Sequence, residues 1–397
     1  MPENKFSLMR RVLAAPSPIG LEAAMTYGVI KPEMESFMPA SWSIHQFKGN
    51  AGIVCDTHPG RDDLCSVMII GHADKIRMQV RSIGDDGKVW INSDSFLPTT
   101  LIGHEVIVFS EHPEKPGQYR RIEGGTTEAI GAIHFAPAGL RNGEKGIKPE
   151  MLYLELQLHG KDKKKQVQKA GIKPGDTLLM NRPIRPGFAD NTFYGAYLDN
   201  GLGSFVTLEA ARLIAKKTPE TLRVQFAIAT HEEIGRFGSR VFAGVLKPDI
   251  LIGVDVDHDY DAAPGVGDQR FTKVAIGEGP TLTTGATTSE YLNSLIVQAA
   301  RKRDIPLQTS PSGRDTGTDA MAAALASVDA ASASLGIPLR NMHTISESGH
   351  TGDVMASIHL LAGLIEDLAK ANKGKGIQKA DLQDGHPRLD QSVPFKR

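Results

Sequence analysis

Three short apolar runs constrain what this chain can fold into. "SVMIIGHAD" at 66–74, "VQFAIATHEE" at 224–233 and "DILIGVDVDHD" at 249–259 are nearly unbroken, and each ends abruptly in histidines or acids. A strand with one wet face alternates apolar and polar residues, whereas runs like these suit strands buried on both faces. Helical patterns lie between them. Residues 203–216 place Phe205, Leu208, Ala211 and Leu213–Ile214 along one side, and 289–303 and 352–371 read the same way. Strand–helix alternation predicts an α/β fold with a mixed, mostly parallel sheet flanked by helices. In such sheets ligands gather at the carboxyl ends of the strands, where the polar residues sit.

Residues 82–187 have another texture. "DDGKVWIN", "GHEVIVFSEHPEKPGQYRRIEG", "GAIHFAP" and "YLELQLHG" are short, alternating and turn-bounded, which predicts a small β-rich unit. "KDKKKQ" at 161–166 is expected to begin a short helix. Because α/β texture stands on both sides, the unit reads as an insertion. The main domain is then 1–81 plus 188–397, with a polar, mobile tail expected from about 373.

Composition removes some functions. Lys+Arg 45 against Asp+Glu 46 gives a net charge of -1, with no basic excess to attract nucleic acid or an anionic membrane. No apolar run approaches the roughly 20 residues of a membrane span, and the N-terminus has no unbroken apolar stretch of the signal-peptide kind. Cys55 and Cys65 make no disulfide framework and are expected to be buried, reduced thiols. The chain reads as cytoplasmic.

The polar residues at the strand ends are His72 and Asp74, Asp199, Glu232 and Glu233, Asp255, and His343. Histidine and carboxylate without thiolate suit zinc and related divalent ions. Taken singly, each has a plainer reading: His72 hydrogen-bonded to Asp74, Asp199 as a helix N-cap, Asp255 as a solvated strand end, His343 as a surface-loop histidine. The adjacent glutamates are harder to set aside. Neighbours on a strand point to opposite faces, so both reach one site only where the strand has turned, and Gly235 is the expected turn. One carboxylate binding metal and its neighbour holding a water is the division that metal-assisted hydrolysis needs. A glycosidase pair would stand about 5 Å or more apart across a bond, which adjacent residues serve poorly.

In order, "GHAD", "YLDNGLGS", "HEEIGRFGSR", "GVDVDHD", "GRDTGTDA" and "LRNMHT" resemble the M42 family of metallo-aminopeptidases, relatives of glutamyl aminopeptidases and of the tetrahedral peptidases. The likeness includes "GAIHFAP" and "AGIKPGDTLLM" in the insertion and "GEGPTLTTGATTS" after the acidic strand. It implies a zinc-peptidase-like fold and two divalent ions per subunit, zinc first, with cobalt or manganese as alternatives. His72, Asp199 and Asp255 would hold one ion; Asp199, Glu233 and His343 the other, with Asp199 bridging. Glu232 would be the general base and Asp74 the acid orienting His72. Two ions about 3.5–4 Å apart would share a water and lower its pKa. The implied activity is removal of N-terminal residues from short peptides. The insertion would be a dimerisation domain, and the assembly a homo-oligomer, dimer or dodecamer.

Three positions depart from the family pattern. Lys75 stands where Glu is usual and is expected to add positive charge near the metals; Gly201 replaces a frequent Arg, and His231 a usual Gln. Two rival readings follow: a deacylase acting on N-acyl amino acids or peptides, and a catalytically silent assembly subunit.

Overall fold

The computed structural model describes residues 1–93, 95–260, 262–263 and 272–388. Its main sheet has eight strands, in the order Ser43–Gln46, Gly52–Asp56, Arg223–Ala229, Ser66–His72, Ile250–His258, Ala331–Leu339, Thr281–Thr284 and Gln308–Pro311. The four strands from Arg223–Ala229 to Ala331–Leu339 run parallel to one another, and the strand adjoining them on either side is antiparallel to them. The three apolar runs are therefore inner strands.

Their even composition follows from burial on both faces. On one side Val67, Ile69, Val224, Phe226, Ile228 and Ile252 join the main core with helices Glu3–Ala14, Leu198–Ala215, Glu290–Arg301 and Thr351–Gly374. On the other, Met68, Ile70, Ala227 and Leu251 pack against Phe242 and Ala243 of helix Phe237–Leu246. The Leu198–Ala215 helix lies close on the sheet because two glycines meet. A Cβ on Gly71 would come within 2.4 Å of the Gly203 backbone.

A closed six-stranded barrel takes the strands Met78–Ile83, Val89–Ser93, Tyr153–Glu155, Lys115–Glu128, Glu105–His112 and Thr177–Met180 in that spatial order. Its strands span 78–180, against an expected insertion at 82–187. Val80, Ile91, Val108, Leu154 and Leu178 fill its interior. The "GAIHFAP" segment is not a strand. Ile133–Phe135 forms a 3-10 turn with Phe135 exposed, because Pro137 closes the segment and no neighbouring strand pairs with it. The short helix after the lysine run is Lys163–Ala170.

The C-terminal segment is better anchored than its polarity suggests. Ile377 is buried in the main core and Lys379–Asp384 is helical, with a reciprocal cap between Gln378 and Asp381. Residues 389–397 of the expected tail lie outside the described residues. Among the described residues no helix is long and apolar enough to cross a membrane. Cys55 and Cys65 are free and buried, and burial pushes each thiol up to about 12.

Candidate metal centre

Residues from five separate segments converge at the carboxyl ends of the inner strands. His72 ends its strand with the ring buried. Asp74, two residues on, is fully buried and does two jobs. Its Oδ1 lies 3.4 Å from His72 Nδ1, and its two oxygens accept the backbone N–H groups of Glu232 and Glu233 at 3.1 Å each. Asp74 thus fixes the imidazole, through its main-chain carbonyl at 3.3 Å as well as its carboxylate, and the backbone of the glutamate pair.

The pair gets its geometry from a turn four residues earlier than expected. Strand Arg223–Ala229 stops, and His231 takes the left-handed region at φ 58, before Gly235 at φ 120. The turn at His231 breaks the strand alternation, so the neighbours no longer point to opposite faces. Glu232 Oε2 lies 3.9 Å from His72 Nε2, and Glu233 Oε2 lies 3.8 Å from His343 Nε2.

Asp199 is not the helix cap. The following residue is: Asn200 Oδ1 accepts the N–H of Gly203 at 2.7 Å, and Asn200 Nδ2 donates to the Val254 carbonyl at 2.8 Å. Asp199 is left with extended backbone, φ -77 and ψ 117, and its carboxylate is free for the site. Oδ1 is 3.4 Å from His72 Nε2, while Oδ2 is 3.1 Å from His343 Nε2. Asp255 Oδ1 completes the first group, 3.7 Å from His72 Nε2. All seven residues singled out in the sequence come together here.

Two further residues, neither of them singled out in the sequence, complete the surroundings. Glu347, on strand Glu347–His350, accepts the N–H of His343 at 2.8 Å through Oε1 and those of Leu198 and Asp199 at 2.6 and 3.3 Å through Oε2. Its place four residues after His343 was the available sequence signal. Asp319, within "GTDA", is buried, takes the Ser239 hydroxyl on Oδ1 and leaves Oδ2 without a partner.

Lys75 departs from expectation. Lys75 is 2% exposed, and its ammonium donates to the carbonyls of Leu13 and Ala15 at 2.8 and 2.6 Å, 5.4 Å from the Tyr197 ring centre. It closes the C-terminal end of the Glu3–Ala14 helix rather than adding charge at the metal ligands. Burial pushes it down to about 7.

The electrostatics ask for cations. Burial pushes Glu232 up to about 9, with Asp319, Asp255 and Asp199 adding repulsion against the opposing pull of His72. Glu233 is raised well above the carboxylate range by burial and by Asp199, and its buried Oε1 has no partner. Burial would also raise Asp199, but hydrogen bonds from His343 and His72 hold it below the usual range. Burial alone would lower His72, yet Asp255, Asp199 and Asp74 hold it well above the usual value. Donor atoms of His72, Asp199 and Glu233 lie within 4.8 Å of one another. An excess of buried acid, mixed imidazole and carboxylate donors and an orphaned carboxylate oxygen fit divalent metal.

A cavity of about 310 Å³ opens over these groups, with Asp257, Thr283, Ser310, Ser312, Thr316 and Ser334 among its walls.

Comparison with known proteins identifies the family and the fold. The family model for M42 glutamyl aminopeptidase matches residues 52–360. The chain is similar to a lysyl aminopeptidase of Pyrococcus furiosus, 28% identical over 305 residues, which is 76% of this chain and 82% of the relative. Its fold is similar to that of a TET aminopeptidase from a marine sediment archaeon of the Thaumarchaeota, with a TM-score of 0.79 and 23% identity over 92% of this chain and 97% of the other. It is also similar to the TET1 peptidase of Pyrococcus horikoshii, which can assemble into a tetrahedron or a large octahedral shell (TM-score 0.72, 19% identity, 91% and 98% covered). The chain belongs to the M42 glutamyl aminopeptidase family and is a peptidase.

Proposed function

We propose that the chain is a dinuclear, metal-dependent aminopeptidase that removes N-terminal residues from short peptides. The observation that carries this reading is the division of Asp199, whose Oδ1 faces His72 and whose Oδ2 faces His343. A carboxylate shared in this way would serve two ions, one held with His72 and Asp255 and the other with Glu233 and His343. Divalent metal ions held there would supply Lewis acidity for the scissile carbonyl and for the attacking water. Asp74 holds the His72 ring and the glutamate backbone in register for them. Glu232 takes a proton from the attacking water and returns it to the leaving amine. Among the described residues Glu233 Oε1 is buried without a hydrogen-bond partner, which supports reading Glu233 as a ligand.

The same proposal covers setting and assembly. Free, buried cysteines suit a reducing compartment, and we place the enzyme in the cytoplasm. Leu97, Ile133 and Phe135 are exposed around the barrel, which suits a homo-oligomeric contact there. The TET1 peptidase supports the idea that such assemblies suit this fold.

The test is release of amino acids from free and N-acetylated short peptides, after metal removal and restoration with zinc, cobalt or manganese. Cleavage of the free peptides alone is the expected result. Cleavage of only blocked peptides would turn the reading to a deacylase. No turnover despite bound metal would turn it to a silent subunit.

A further inference from the structure

Glu232 sits where two loops meet. One follows strand Arg223–Ala229 and carries Glu232 and Arg236. The other, 312–318, puts Ser312, Thr316, Gly317 and Thr318 on the cavity wall. Arg236 spans them. Its Nε is 3.4 Å from Glu232 Oε1, and its Nη1 donates to Asp315 Oδ2 at 3.1 Å. The Arg236 side chain is 17% exposed, and the backbone beneath it is left-handed at φ 59.

Asp315 is itself held. Its Oδ1 accepts the Gly317 N–H at 2.9 Å, and its carbonyl accepts the Ser312 hydroxyl. A second tie runs alongside, where the Ser239 hydroxyl reaches both the Arg236 carbonyl at 3.2 Å and Asp319 Oδ1. The two loops are thus joined twice, and the Arg236 side chain is the tie that touches Glu232.

This matters because a Glu carboxylate rotates easily between two equivalent settings. Here the oxygens have different neighbours: Oε1 faces Arg236, and Oε2 faces His72 Nε2 at 3.9 Å. A planar, permanently charged guanidinium that also grips Asp315 holds the carboxylate plane so that, whichever oxygen faces it, the other is turned toward His72. Resting on the aminopeptidase reading above, we propose that Arg236 is a positioning residue. Anchored through Asp315 to the cavity wall, it holds the plane of the Glu232 carboxylate so that the oxygen turned away from the guanidinium, toward His72, takes the water's proton. Because Asp315 belongs to the loop lining the cavity, one loop sets both the fit of the substrate and the aim of the base.

Two measurements test this. In metal-restored protein acting on a free short peptide, Arg236→Gln should lower kcat about 10–100-fold, since small misplacements of a reacting group have that scale. KM should stay within about two-fold, because the lost interaction does not bind the ground state. Arg236→Lys should recover part of the loss, and Asp315→Asn should lower kcat in the same direction by less. Independently of activity, metal-free Arg236→Gln, Asp315→Asn and the double variant should be compared by thermal melting. The double variant should melt with Arg236→Gln rather than lower, since the pair acts as one.

A normal kcat in Arg236→Gln would overturn the proposal, as would additive melting losses. A raised KM with kcat preserved would also overturn it, by making Arg236 a substrate-binding residue. If wild-type protein turned over nothing with any ion, the functional reading would fall and the catalytic role with it. The melting cycle would still decide whether the tether exists.

Discussion

Glu347 and His343 are joined through the backbone, with the Glu347 carboxylate accepting the His343 N–H at 2.8 Å while its other oxygen takes Leu198 and Asp199. His343 has a left-handed backbone at φ 60, so its loop conformation needs an outside anchor. Burial pushes Glu347 up to about 8.

Glu347→Ala should therefore strand two buried N–H groups and one part-buried one, and loosen the groups on both sides of Asp199. A stability loss of about 2–4 kcal/mol is expected from that many unpaired donors. Metal content per subunit, measured after dialysis, should fall with it. Glu347→Gln keeps an acceptor and should lose less on both counts. A variant with full metal content and wild-type melting would show that the anchor is dispensable.

Glu232→Gln keeps the size and removes the base. Turnover should drop about 10²–10⁴-fold, the usual worth of a general base. Metal content should stay near wild type, because the carboxylates assigned to the ions are Asp199, Glu233 and Asp255. Wild-type turnover in this variant would refute the mechanism proposed above.

Lys75 makes a pH signature. Its folded value, about 7, lies below the ordinary 10.5, so between these pH values the unfolded chain holds a proton that the folded one has released. Stability should then rise with pH across that window, and the penalty is complete below pH 7. Lys75→Met should be flatter than wild type between pH 7 and 10 in denaturant unfolding. Reverting Lys75 to Glu should not improve activity. It would set an acid against the carbonyls of Leu13 and Ala15 and destabilise the N-terminal helix.

Removing metal should give the opposite slope. Without ions Glu232 at about 9 and Glu347 at about 8 keep protons that the unfolded chain loses near 4.5. Stability of the stripped protein should fall as pH rises from about 4.5 to 9. Restored metal should raise the melting temperature most at the alkaline end, where the buried acids would otherwise be charged and unpaired. Equal melting of stripped and restored protein at pH 8 would argue against a metal centre.

How much of this was legible beforehand depends on the range of each interaction. Periodicity and strand-end chemistry are local. The apolar runs at 66–74, 224–233 and 249–259 were enough for a parallel sheet covered on both faces, and the order of six polar motifs was enough for the family. The seven polar residues now gathered in the site were likewise visible as strand-end groups. What the tertiary structure decided is which partner each would find. Asn200 rather than Asp199 caps the helix because it reaches across to the Val254 carbonyl. His231 rather than Gly235 makes the first turn, held while Asp74 takes the next two N–H groups. Lys75 faces the end of a helix 62 and 60 residues away in sequence, not the acids beside it. Glu347 meets Asp199 across a sequence separation of 148. Such contacts form only when distant segments are packed together, and a buried charge then settles on whichever partner the packing brings within reach.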